Sequence, residues 1–414
     1  MALAASTSLA TPHAALGFDV ERPAIDPDPA AMLRRMSAAC GRPYRDLVKE
    51  FASLALGPGR ISIFEYEALR LYDQSLGVAA KRRFVGAEVA ARIWSVANFR
   101  PDYYALAEIK VAANGLFAAH GFPTAERLAL FRLDAGMPSS QLLHSRDELR
   151  AFLARADHYP LFGKPMDGLQ SLGAVSLDGY DAVSGRLLTA DGRALPLDAF
   201  VEGLAKHYPA GYVFQKRLSP HRDVRRICGD RLATVRLITI LADGEPILLR
   251  STWKIPAGGN VADNFWRKGN LLGQLEPDTG RVLRALRGVG VGLGELTHHP
   301  DTGAPIQGMV VPNWRDVTRL AIEGARVVKD LPLIGWDIAS VEGGAVMIEL
   351  NHNPDFLLTQ LADGRGMLDD DLGTFLAARR RYAERWRREN ARGERRRRFA
   401  VLHSLLKGAR SALR

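Results

Sequence analysis

Residues 335–351, Gly-Trp-Asp-Ile-Ala-Ser-Val-Glu-Gly-Gly-Ala-Val-Met-Ile-Glu-Leu-Asn, constrain this chain more than any other stretch. Two strand-like runs flank Glu342-Gly343-Gly344, a pattern that predicts an antiparallel hairpin. A turn centred on Gly343 sets Asp337 opposite Glu349, with their Cβ atoms about 5 Å apart. Alternation along the second run puts Val346, Ile348 and Leu350 on one face and Met347, Glu349 and Asn351 on the other. Two carboxylates facing each other across strands destabilise a hairpin unless a cation neutralises them. Oxygen donors of this kind suit a hard divalent ion, and Mg2+ carried by nucleotide phosphates fits best. An exposed edge whose acids face water is the bland alternative.

The net charge of +10 is gathered at one end of the chain. Residues 376–414 hold thirteen Arg and one Lys against Glu384, Glu389 and Glu394, so the rest of the chain is close to neutral. A nucleic-acid enzyme would carry its basic surface on the folded body, and no specific nucleic-acid partner is expected. Within this tail, Arg379-Arg380-Arg381 and Arg395 to Arg398 precede Phe399, Val401, Leu402, Leu405, Leu406 and Leu413 at near-helical spacing. A solvated helical extension and an amphipathic anchor on anionic lipid explain it equally well, with polyanion binding third. Cys40 and Cys228 stand far apart and outside any C-x-x-C pair, which argues against a disulfide framework and a structural zinc. No stretch approaches the ~20 apolar residues of a membrane helix, and residues 1–32 lack a signal-peptide pattern. The expected location is cytoplasmic, with peripheral contact at the inner membrane face through the tail.

Apolar residues three and four apart predict helices between residues 30 and 98, notably over 61–72 and 85–96. A further helix is expected over 103–119, then a strand over 128–133 and a helix over 146–156. From 159 onward short strands dominate until a helix over 316–328, and the Arg-rich end reads as one or two helices. The class is α+β.

Residues 159–164 read as a strand ending in Lys164 ahead of Pro165-Met166-Asp167-Gly168-Leu169-Gln170-Ser171-Leu172-Gly173. Glycines let backbone N–H groups approach phosphate oxygens, and a lysine at the strand end supplies a point charge. Gly168 and Gly173 have P-loop spacing, but Ala174-Val175 stands where Lys-Ser or Lys-Thr is required, which argues against a Walker-type site. The strand over 211–218 offers an apolar slot for adenine, with the backbone near Gln215 to Arg217 facing the base and His221 or Asp223 reaching the ribose. Arg225, Arg236, Arg250, Lys254, Arg267 and Lys268 are candidate anion ligands, roughly half of which should be ordinary surface residues. His298-His299-Pro300-Asp301 is first a turn, whereas His352 and Asp355 are better placed to line a site.

The order of Phe99-Arg100-Pro101, Lys110, Gly121-Phe122-Pro123, Phe162-Gly163-Lys164, Val213-Phe214-Gln215-Lys216, Thr234-Val235-Arg236, Asp263-Asn264, Pro312-Asn313-Trp314, Gly335-Trp336-Asp337 and Glu349-Leu350-Asn351 resembles the sugar-transfer-associated ATP-grasp family over residues 90–365. The resemblance implies an ATP-grasp fold in which Lys110 precedes the first half and Lys164 meets the α-phosphate. The loop carrying Gly168, Ser171 and Gly173 would close over the β- and γ-phosphates. Gln215 and Lys216 would lie at the adenine hinge, with Asp223 beyond them, and Asp337, Glu349 and Asn351 would hold two Mg2+ ions. It further implies an ATP-dependent ligase that activates a small carboxylate as an acyl phosphate for capture by an amine or other nucleophile, in polysaccharide or sugar-derivative biosynthesis. A hydroxyl kinase and a non-catalytic nucleotide-binding scaffold at the membrane are the alternatives. D-Alanine ligases carry an arginine two residues before the metal aspartate, where this chain has Gly335, so Arg236, Arg250 or Arg267 would serve instead. The expected organisation is a leader (1–29), a helical region (30–104), a linker segment (105–157), a small grasp subdomain (158–215), a larger one with the metal site (216–365) and a basic helical tail (366–414).

Overall fold

Two seven-stranded sheets organise the molecule. The computed structural model describes residues 28–134, 141–166, 173–260 and 262–412, with side chains as far as 391. The first sheet contains β1 (Arg127–Phe131), β2 (Leu142–Leu143), β3 (Leu161–Pro165), β4 (Val175–Asp181), β5 (Arg186–Thr189), β6 (Ala194–Pro196) and β7 (Tyr212–Lys216), in the order β2-β1-β7-β3-β4-β5-β6. The inward residues of neighbouring strands, including Phe131, Leu161, Leu177 and Phe214, pack on the apolar faces of helices Arg146–Leu153 and Leu197–His207. Residues 105–157 are therefore not a plain linker. Ala129 and Phe131 alternate into this core, and β1 occupies the hydrogen-bonding edge of β7 that β3 leaves open.

The second sheet contains β8 (Thr234–Ala242), β9 (Glu245–Ile255), β10 (Leu271–Leu275), β11 (Val282–Arg287), β12 (Gly294–Leu296), β13 (Leu333–Val341) and β14 (Gly344–Asn351), all antiparallel, in the order β12-β11-β10-β9-β8-β13-β14. Helices Lys110–Ala119 and Trp314–Val327 cover one face, where Phe117, Leu320, Trp253 and Trp336 meet. The other face lies under the helices of residues 29–97 and under Phe356–Asp363. Coverage on both faces explains why β13 is buried along nearly its whole length rather than at alternate positions.

The helix expected over 103–119 is broken at Ile109, which is extended at φ −96°, ψ 93°. Lys110 thus begins a new helix, Lys110–Ala119. The Arg-rich end is one helix, Asp370–Ala412. Its first turns dock Leu372, Phe375 and Leu376 against Ile93 and Ala97, and farther along Phe99 packs edge-on against Trp386 and tilted on Tyr382, beneath the Arg379 guanidinium. Among the described residues no helix is long and apolar enough to cross a membrane.

The hairpin β13–β14 has the expected facing pair but reaches it by another route. Val341 pairs with Gly344, so the turn is Glu342-Gly343 and the pairing register beside it is one residue off the expected one. Gly343 takes φ +80°, which favours glycine in so tight a turn. A bulge at Ile348 then inserts one residue and brings Asp337 opposite Glu349. The same bulge turns Met347 into the core, off the face it was expected to share with Glu349 and Asn351.

Candidate functional site

A cavity of about 440 Å3 is lined by residues of both sheets. From the first sheet come Phe162 and Lys164 on β3, Ser176 on β4, and Gln215 and Lys216 on β7. Lys164 is 8% exposed and, among the described residues, its ammonium takes no hydrogen bond or ion pair. Burial pushes its ammonium down to about 8, with Lys110 adding to the effect and the Glu349 and Asp337 carboxylates opposing it. The buried Nε2 of Gln215 likewise has no hydrogen-bond partner among the described residues. Arg217 donates to the Ser176 hydroxyl at 3.0 Å and pairs with Asp178 at the cavity edge.

The second sheet supplies a ladder of buried charge. Register sets Arg236 of β8 against Asp337 of β13, and Thr234 against Lys254 of β9. Arg236 grips Asp337 with Nε to Oδ1 at 2.6 Å and Nη2 to Oδ2 at 2.9 Å. The Lys254 ammonium reaches the same Oδ2 at 3.0 Å and lies 3.6 Å from Asp263 Oδ1. Asp263 in turn accepts from the backbone N–H and hydroxyl of Thr234. Burial would push the Asp337 carboxyl up, but Arg236 and Lys254 overcome it and hold the group far below the usual carboxylate range. For Lys254 burial is outweighed by Asp263 and Asp337, which raise it.

Glu349 and Asn351 reach the cavity from β14, with Asn351 Nδ2 3.5 Å from Glu349 Oε1. At the rim, the His352 imidazole stacks on Tyr104 at 4.0 Å and its Nε2 lies 3.3 Å from Glu108 Oε1. Burial lowers the His352 pKa, against the pull of Glu108.

Of the residues singled out from sequence, Lys110, Lys164, Gln215, Lys216, Asp337, Glu349 and Asn351 line this one cavity, and Arg236 is bound to it through Asp337. Gly173 stands beside it at φ +76°, where an added Cβ would lie 2.2 Å from the Tyr208 hydroxyl. Gly168 and Ser171 lie outside the described residues. Three expectations are corrected. Arg250 is drawn beneath helix Phe356–Asp363, pairing with Asp363 at 3.3 Å and Asp369 at 2.5 Å, because it faces that end of the sheet rather than the cavity. Arg267 is buried within reach of the Asp263 charge but does not line the cavity, and burial lowers its pKa. Asp223 sits in the first turn of helix Arg222–Cys228 beside His221 and Arg226, away from the cavity lining.

Asp263 and Thr234 carry no role in the sequence reading, and Lys254 is there one cation among six. Their shared signal is the strand register, which places residues 234, 236, 254 and 337 on neighbouring positions of one face. Asp355, expected at the site, instead accepts from Trp266 Nε1 at 2.7 Å and caps helix Phe356–Asp363. Gly335 has a steric reason: a Cβ there would lie 2.7 Å from Pro354 Cβ and 3.3 Å from Arg236 Cδ. The guanidinium beside Asp337 comes from β8, and β13 leaves room for it.

The donor set divides by what it can accept. The Gln215 amide nitrogen is a buried donor without an acceptor, and Lys164 is a largely buried cation without an ion pair among the described residues, which together fit an anionic ligand carrying a polar heterocycle. Glu349 and Asn351 offer oxygen atoms suited to a divalent cation. Among the described residues no group of three or more His, Cys, Asp or Glu side chains could hold a metal unaided.

The profile of the family described as sugar-transfer associated ATP-grasp matches residues 101–373. No curated protein matches the chain. Among solved structures, a D-alanine–D-alanine ligase from Bacillus anthracis shares 13% identity at a TM-score of 0.36, covering 69% of this chain and 70% of that one. The ATP-grasp ligase PsnB, complexed with a phosphomimetic variant of a minimal precursor, Mg and ADP, shares 16% identity at a TM-score of 0.33, covering 68% of this chain and 60% of its own. The ADP complex of an N5-carboxyaminoimidazole ribonucleotide synthetase shares 13% identity at a TM-score of 0.34 over 60% of this chain, which spans 45% of that protein's length.

Proposed function

Since this chain belongs to the sugar-transfer associated ATP-grasp family, we propose that its cavity binds ATP with Mg2+ and activates a carboxylate as an acyl phosphate for capture by an amine or other nucleophile. The observation that carries this reading is Lys164, a buried cation without a partner among the described residues, in the same cavity as Glu349 and Asn351. Burying an unpaired ammonium is costly, and a polyphosphate between the two walls would offset that cost. Gln215 would donate to the base edge, with Phe162 and Leu232 as apolar walls. Mg2+ held by Glu349 and Asn351 would supply charge compensation for the phosphates. Lys110 and Lys164, which both line the cavity, would supply positive charge where the phosphoryl group meets the carboxylate. The two sheets would then act as the two jaws of the grasp.

The rim formed by Glu108, His352 and Tyr104 is the proposed entrance for the second substrate, and a sugar-related acid is the class the family description favours. The basic end of helix Asp370–Ala412 is proposed to contact an anionic inner membrane surface. Co-sedimentation with vesicles containing phosphatidylglycerol, compared with neutral vesicles and with a chain ending at residue 391, tests that contact.

Calorimetry with ADP, with and without Mg2+, tests the site. Mg2+-dependent binding in the wild type, weakened at least tenfold in Lys164→Ala and Glu349→Ala, is the expected result. A folded wild type that binds no nucleotide would sink the proposal. Phosphate release that requires both a carboxylate and an amine separates a ligase from a kinase acting on a hydroxyl.

A further inference from the structure

Asp337 occupies the position from which the resemblance expects a metal ligand, yet two cations already hold its carboxylate. Arg236 takes both oxygens in a two-pronged grip, and Lys254 adds a third charge-assisted bond to Oδ2. Neither cation is free to swing aside. Arg236 stands opposite Asp337 in the β8–β13 register with its side chain against Gly335. Lys254 is held from the other side by Asp263, which the Thr234 hydroxyl and N–H fix in turn. All four charged residues are less than a tenth exposed.

We infer that Asp337 is not a metal ligand in this protein: it anchors Arg236 and Lys254, and the cavity takes a single divalent cation, on Glu349 and Asn351. This rests on the nucleotide reading above. Asp263 and Asp337 balance Arg236 and Lys254, so this part of the wall is neutral before any ligand arrives. A divalent ion at metal–oxygen distance from Asp337 would lie within a few ångströms of an ammonium and a guanidinium, and both Asp337 oxygens are already engaged by them. Glu349 and Asn351 carry no such burden. Their contact with each other is long, and although Glu349 feels the charges of Lys164, Arg236 and Lys254, none of them forms an ion pair with it among the described residues. The bulge at Ile348 separates the two roles, because it keeps Glu349 opposite Asp337 while leaving Asp337 itself bound to the neighbouring strand.

Counting bound Mn2+ by electron paramagnetic resonance, in the presence of a non-hydrolysable ATP analogue, decides between one ion and two. One Mn2+ per chain is expected, with Glu349→Gln weakening it at least tenfold and Asp337→Asn leaving the count at one. Two Mn2+ ions in the wild type would overturn the inference and leave the nucleotide reading intact. Loss of neither ion nor affinity in Glu349→Gln would also overturn it. Analogue and Mn2+ both failing to bind would overturn the inference together with the proposed function. The wild-type count needs no variant, so it decides the matter even if Asp337→Asn does not fold.

Discussion

The two walls of the cavity differ in how completely the chain satisfies them. On the second sheet, Asp263, Lys254, Asp337 and Arg236 alternate in sign and pair with one another. On the first sheet, Lys164 and the Gln215 amide are buried without partners among the described residues. One wall is finished when the chain folds, and the other is completed by what binds. Mutations among the paired charges of the second sheet should therefore lower stability, whereas mutations of the unpartnered groups on the first sheet should spare or raise stability and lower affinity.

The largest effect is expected for Asp337→Ala, which leaves a guanidinium and an ammonium buried without their shared counter-charge. Removing one partner of a buried ionic network costs about 3–5 kcal/mol, and urea unfolding of the ligand-free protein measures it. An unchanged midpoint would break the comparison. Next comes Gly335→Ala, whose Cβ would press on Pro354 and Arg236. Overpacking of that kind costs about 1–3 kcal/mol, and Arg236 cannot retreat without weakening its grip on Asp337.

Lys164→Met should move in the opposite direction, stabilising the ligand-free protein by up to about 3 kcal/mol at neutral pH. The sign follows from protonation. The folded-state value of about 8 lies below the ordinary 10.5, so the unfolded chain binds the proton more tightly between those limits. Wild-type stability is penalised in full below pH 8 and recovers relative to Lys164→Met as the pH rises from 8 to 10.5. Thermal unfolding of both proteins at pH 7 and pH 9.5 should show the gap narrowing.

The smallest effect is expected away from the cavity. Burial raises Asp363 to about 6, against the opposing charge of Arg250. The cost of ionising it is present above pH 6 and absent below 3.8, so the wild type should gain on Asp363→Asn as the pH falls between them. A shift of up to about 2 kcal/mol, read from urea midpoints at pH 7 and pH 4.5, would mark Asp363 as a member of the buried charge set away from the cavity.

The hairpin shows how much could be read from the residues and how. Facing acids around a glycine turn led correctly to Asp337 opposite Glu349. The pairing register beside the turn was nonetheless misplaced by one residue, and the bulge at Ile348 compensated for it. Bulges arise from the fit of a strand against its other neighbours, here Trp336 and Met347 packing beneath helix Trp314–Val327, and that fit leaves no mark in local alternation. The arginines illustrate the opposite limit. Arg236 and Arg250 are both buried β-strand cations, two registers apart on adjoining strands, yet one meets Asp337 and the other runs beneath a helix to Asp363 and Asp369. Residue type could nominate both and separate neither.

Sequence by itself determined the elements whose cause is local. Helical periodicity marked the helices of residues 29–97, alternation and glycine marked the hairpin, and the missing P-loop residues after Gly173 argued against a Walker site. The resemblance carried by ordered motifs named the family that the profile match shows. Tertiary structure decided which charges meet. Arg236 and Asp337 are 101 positions apart in the chain, and Lys254 and Asp337 are 83 apart. Only the β9-β8-β13 strand order brings them within hydrogen-bond distance, because ionic contacts depend on ångströms of separation that sequence distance does not encode.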